Sequence, residues 1–264
     1  MDNLPIAEFW EAIDENDLRK LRQLVADYPE LLTARVDSDG STCLHDATKY
    51  GTYELVEELL RFGADPNSTA SGRTPLHCAV LLAKVPTIKL LLEHGADPNI
   101  LSEDGETPML IAARSRQLFD EDDEQVVPDL LERYGARLDI HSAATLGRFE
   151  TVQKILETNK SAIQESPRSE EILLHLGFNS TLELSHLLLE HGANPNGGKD
   201  LGVSPLMYIL SSVPCNFDIL KLLLDYRADP DAIVGDPPRK IYDYAKHLGH
   251  PQKILNLILQ YSKG

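Results

Sequence analysis

Cysteine is scarce in this sequence: Cys43, Cys78 and Cys215 are the only three among 264 residues, and no two form a C-x-x-C pair. An odd, scattered set supplies neither a disulfide framework nor a zinc knuckle, so a reducing, cytoplasmic compartment is expected. Nowhere do 18 apolar residues follow one another, which predicts no membrane-spanning helix. The opening MDNLPIAEFWEAIDENDLRK carries acids where a signal peptide needs a basic start and an apolar run. Positive charge is also short: 25 Lys and Arg stand against 42 Asp and Glu, a formal net charge of −17. That field repels phosphate backbones and anionic membrane surfaces, so neither nucleic acid nor membrane is expected as a ligand, and a basic protein is. G-x-x-x-x-G-K-[ST] phosphate loops and H-x-x-x-H ligand pairs are absent, and no cofactor or metal is expected. What the chain has is 42% hydrophobic residues, enough to bury a substantial core.

Those residues recur with a period. DGSTCLHDATKYGTYELVEELLRFGADPN (39–67), SGRTPLHCAVLLAKVPTIKLLLEHGADPN (71–99) and DGETPMLIAARSRQ (104–117) start on one template, with Gly40, Gly72 and Gly105 spaced 32 and 33 residues apart. IHSAATLGRFETVQKILETN (140–159) aligns with LHDATKYGTYELVEELLRFG (44–63), placing His141 beside His45 and Asn159 where Gly63 stands. LELSHLLLEHGANPN (182–196) and FDILKLLLDYRADPD (217–231) repeat the second-helix ending, and LGVSPLMYIL (201–210) copies the TPLH start. Leu55, Val56, Leu59 and Leu60 make an apolar stripe on a helix too short to persist alone, so neighbouring units must stack to bury it. Gly63, Gly95, Gly135 and Gly192 stand where a helix ends in a left-handed residue.

With its TPLHCA and two in-register GADPN segments, the sequence resembles the ankyrin-repeat family. The resemblance implies an all-α repeat solenoid of about seven helix-turn-helix units with hairpin loops and partial caps, read as one domain over 1–264. An N-terminal helix pair (1–36) precedes clear repeats at 37–68, 69–101 and 102–138. Degenerate repeats at 139–168 and 169–198, a repeat at 199–233 and a capping repeat at 234–264 follow. It also implies that His77, with His45 and His141, holds the hairpin-to-helix turn and performs no chemistry.

Family partners bind the face made by hairpin tips and first helices. Template position carries this to Ser38, Asp39, Ser41, Lys49 and Tyr50, then to Ala70, Ser71, Arg73, Leu81 and Leu82, and then to Glu103, Asp104, Glu106, Arg114 and Ser115. Tyr50, Leu81 and Leu82 read either as an apolar spot inside an acidic rim or as side chains tucked under a helix altered by Lys84-Val85-Pro86. The third repeat also inserts QLFDEDDEQ (117–125) between its helices. This is either a solvated loop or an acidic finger with Phe119 as anchor among Asp120, Asp122 and Asp123. The expected function is a non-enzymatic module that binds, and inhibits or sequesters, a basic protein, monomeric until bound. The alternative is a small-ligand or metal-binding protein, or an enzyme, with its site in the irregular 117–180 stretch.

Overall fold

The computed structural model describes residues 4–35, 40–115, 126–166, 168–174, 181–198, 202–212 and 214–262. By its internal contacts the chain divides into two compact units, Met1–Arg137 and Leu138–Gly264.

The first unit is a stack of helix pairs: α1 (Ile6–Asp14) with α2 (Leu18–Asp27), α3 (Cys43–Tyr50) with α4 (Tyr53–Arg61), α5 (Pro75–Leu81) with α6 (Val85–Glu93), and α7 (Pro108–Arg114) with α8 (Val126–Arg133). First helices pack on first helices, and α4, α6 and α8 pack in a second row. The stripe on α4 is the reason: Leu55, Val56, Leu59 and Leu60 are all buried, as are Ile88, Leu91 and Leu92 one unit on. At nine residues each, α4 and α6 could not hold their shape in water without that burial.

The second unit holds α9 (Ile140–Thr145), α10 (Phe149–Thr158), the single turn α11 (Ala162–Glu165), α12 (Leu182–Glu190), α13 (Pro205–Ser211) and α14 (Phe217–Asp225). A two-residue hairpin, β1 (Ile233–Val234) against β2 (Arg239–Lys240), leads into α15 (Ile241–His247) and α16 (Gln252–Tyr261). Its core runs from Ile140 through Leu188, Leu206, Leu220 and Ile241 to Ile258.

Helix ends follow the sequence reading with two exceptions. Gly63, Gly95, Gly135 and Gly192 all have φ between 87° and 93°, and the N–H of Ala64 closes back to the Leu59 carbonyl at 3.0 Å, satisfying a helix-end acceptor. At the matching place after α14 stands Arg227, with φ 66°, a conformation in which its Cβ crowds the backbone. Arg227→Gly is expected to raise the unfolding free energy of the second unit by about 1 kcal/mol, read as a shift in its urea midpoint. The other exception corrects the alignment of Asn159 with Gly63: Asn159 is extended (φ −138°, ψ 100°), and the chain turns into α11 instead of the usual loop. In the next repeat, the described residues ahead of α12 include a 3₁₀ turn, Ser169–Glu171.

Candidate binding surface

The turns that open the first two clear repeats are built from a threonine and a histidine, whereas in the third Thr107 caps the Leu110 N–H at 3.1 Å without one. At the start of α5 the Thr74 N–H donates to His77 Nδ1 at 3.1 Å, and the Thr74 hydroxyl meets the same nitrogen at 2.8 Å. With Nδ1 accepting, the ring proton sits on Nε2, which reaches the Glu106 carbonyl of the following repeat at 3.2 Å. His45 does the same for Thr42 and the Arg73 carbonyl, at 3.3 and 2.9 Å. Each histidine therefore locks its own turn and ties it to the next unit. His77 is fully buried, and desolvation pushes its pKa down to about 4. His141 departs from this pattern. Asp139 caps α9 through the Ser142 N–H at 2.6 Å, which leaves His141 one position earlier than the capping histidines, on a buried face.

The second tie between units is an asparagine. Asn67 Nδ2 donates to the Gly95 carbonyl at 3.0 Å while its Oδ1 accepts from the Asp97 N–H at 2.7 Å. Asn99 clamps Gly135 and Arg137 at 3.0 and 2.8 Å, and Asn196 clamps Arg227 and Asp229 at 3.0 and 2.7 Å. After the irregular fourth repeat Gln164 takes part of this role, its Nε2 donating to the His191 carbonyl at 3.0 Å. Nothing in the repeat template pointed to Gln164, because it lies on the extra turn.

These ties fix the hairpin tip at 70–73, where Ala70 and Arg73 form an isolated bridge. Beside it opens a groove of about 320 Å³, lined by Lys49 and Tyr50 from the end of α3, Ala70, Ser71 and Arg73 from the tip, and Cys78, Leu81 and Leu82 from α5. Tyr50 is 79% exposed and Leu82 49%, whereas Leu81 is half-buried. Leu82 is thus not tucked under the altered helix. Lys84 bridges instead to the end of α3, donating to the Thr48 and Lys49 carbonyls at 2.7 and 3.0 Å. Asp104 faces Arg73 at 3.0 Å, and Lys49 donates to the Ser41 hydroxyl at 3.3 Å.

Seven positions singled out in the sequence, Lys49, Tyr50, Ala70, Ser71, Arg73, Leu81 and Leu82, meet in this groove, and Asp104 joins them through Arg73. Two are corrected as contact residues. Ser41 is 1% exposed beneath Lys49, and Glu106 is 4% exposed with its carboxylate against the Arg114 guanidinium, so both support the surface from below. Arg114, half-buried, is held by that pair. Ser38, Asp39, Phe119, Asp120, Asp122 and Asp123, with the 117–125 insertion, lie outside the described residues.

Thiol chemistry finds little support. Burial pushes the Cys43 thiol up to about 12 and the half-buried Cys215 thiol up to about 11, far from the thiolate a nucleophile needs. Among the described residues no group of three or more His, Cys, Asp or Glu could hold a metal ion, and no helix is long and apolar enough to cross a membrane.

Compared with known proteins, the sequence matches a family model described as ankyrin repeats (three copies) over residues 9–102, 44–139 and 140–233. No curated protein matches it.

Proposed function

Because the chain belongs to the ankyrin-repeat family, all-α repeat solenoids that generally serve as non-enzymatic protein–protein interaction modules, we propose that it captures a basic protein partner through the groove between α3, α5 and the 70–73 hairpin. The observation that carries this reading is the exposed pair Tyr50 and Leu82 on the rim of a largely apolar groove, next to a hairpin tied to the following repeat by hydrogen bonds. A rigid aromatic and an aliphatic side chain at the edge of a pocket are the kind of anchor that dominates binding energy. The net charge of −17 supports the sign of the partner: it speeds encounter with a cationic protein and rejects anionic ones. Of the two cations in the groove, Arg73 is faced by Asp104, and the single charge of Lys49 is small against the net −17 of the chain. A partner held over this face has its basic surface covered, and it is inhibited or sequestered where that surface is the one it acts through.

The test is capture from the native cell extract at low and high salt, with Tyr50→Ala/Leu82→Glu alongside. The expected result is one basic partner, bound at least tenfold more weakly by the double variant and progressively lost as salt rises. Because both side chains are exposed, the variant should melt within a few degrees of the parent. A partner whose affinity ignores both salt and the two substitutions would sink the proposal.

A further inference from the structure

The second unit carries a groove of a different kind. In the rows of second helices, α4 packs on α6 and α6 on α8, and likewise α12 on α14 and α14 on α16, but α10 and α12 do not pack on each other to the same extent. Between them lies an open cleft of about 390 Å³, lined by Phe149 of α10 and by Leu182, Glu183, His186, Leu187 and Glu190 of α12. The α12 residues follow i, i+1, i+4, i+5, i+8, a single helix face. Packing explains its state: Leu90, at the template position of Leu187, is 3% exposed in α6, whereas Leu187 is half-buried and Leu182 is 39% exposed. The apolar stripe that normally meets a neighbouring helix is here left without full cover.

The charge around that stripe is of one sign. Its six lining residues include two carboxylates, Glu183 and Glu190, and no Lys or Arg. His186 lies 3.3 Å from Glu190 and packs edge-on against Tyr226, with centroids 5.9 Å apart, which fixes the wall of the cleft. Its volume falls within the roughly 300–1,000 Å³ of ligand clefts, and an apolar floor with acidic ends between two helices suits a helix laid into a groove. We infer that the α10–α12 cleft is a second docking site, for a cationic amphipathic helix of another protein. The apolar face of that helix rests on Phe149, Leu182 and Leu187, and its Lys or Arg residues meet Glu183 and Glu190. This site is independent of the α3–α5 groove and does not rest on the function proposed for it.

The probe is a fluorescein-labelled helical peptide of Leu and Lys, with Leu at i, i+3, i+4 and i+7, titrated into the full chain at physiological salt. A scrambled peptide of the same composition and a Leu/Glu version serve as controls. The inference expects the Leu/Lys helix to bind at least tenfold tighter than the scrambled one, the Leu/Glu version not to bind, and amide shifts to concentrate at 149–157 and 182–190. Leu182→Lys/Glu183→Lys/Glu190→Lys, all at exposed positions, should weaken binding at least tenfold with an unchanged melting temperature. Tyr50→Ala/Leu82→Glu should leave it unaltered. Equal binding of the scrambled peptide would reduce the site to bulk charge and overturn the inference, as would full affinity in the triple variant or no binding at all. Loss of peptide binding in the Tyr50/Leu82 variant would also overturn it while leaving the first groove in place.

Discussion

His77→Ala is expected to lower the unfolding free energy of the first unit by about 3 kcal/mol at neutral pH and to flatten its acid sensitivity. The substitution leaves the Thr74 turn and the Glu106 carbonyl without their shared partner inside the core, and each buried polar group so abandoned costs about 1–3 kcal/mol. The pH dependence has a definite sign. In the fold His77 stays neutral down to about pH 4, against an ordinary value of 6.5. Between those values the unfolded chain takes up a proton that the folded one refuses. The contribution is thus complete above pH 6.5 and is lost as pH falls toward 4. The whole shift corresponds to about 3 kcal/mol, of which roughly 2 kcal/mol is gone by pH 5. Urea unfolding followed by the fluorescence of Trp10, the only tryptophan and a reporter within the first unit, at pH 7.5 and pH 5, measures it. The parent should lose about 2 kcal/mol more than His77→Ala between the two conditions. Equal losses would mean that the histidine titrates normally and that the turn is not sealed from water.

Arg114→Met is expected to destabilise the same unit by about 3 kcal/mol, whereas Arg73→Met, which also breaks an ion pair, should change it by less than about 1 kcal/mol. The difference lies in the acid left behind. The Glu106 side chain is 5% exposed and loses its guanidinium partner out of reach of bulk water, while the Asp104 side chain is 56% exposed and is rehydrated at once. Adding Glu106→Gln to Arg114→Met should recover much of the loss, since an amide tolerates burial better than a carboxylate. A double-mutant cycle on Trp10 fluorescence reads the coupling, and similar effects from Arg73 and Arg114 would contradict the burial of Glu106.

The same pair marks where sequence reading stopped. Glu106 sits on a hairpin tip, where a carboxylate is ordinarily solvated, and only the return of α7 brings Arg114 over it. Ser41 is hidden in the same way by Lys49. Periodic features were legible because each depends on its own unit: the apolar stripes, the glycines at Gly63, Gly95, Gly135 and Gly192, and the Thr-Pro-Leu-His turn. The groove residues Tyr50 and Leu82 were legible because the template fixes their face. His141 was misaligned in role because Asp139 supplies the cap a residue later than the template threonine would, a shift that leaves the apolar pattern intact. The α10–α12 cleft had no signature in Leu182 or Leu187, whose counterparts elsewhere help to bury a helix. Its origin is the distance between two helices, which no single segment encodes.

The asparagine clamps have a consequence for how this chain can change length. Asn67, Asn99 and Asn196 each grip two backbone groups of the loop one repeat ahead, and no clamp reaches further. Excising one whole period therefore delivers the next loop to the same waiting amide, while excising half a period leaves that amide facing a helix. Deletions and duplications that cut into helices should be tolerated in quanta of one repeat, whereas length added between two helices, as at 117–125, leaves Asn99 able to reach Gly135 and Arg137.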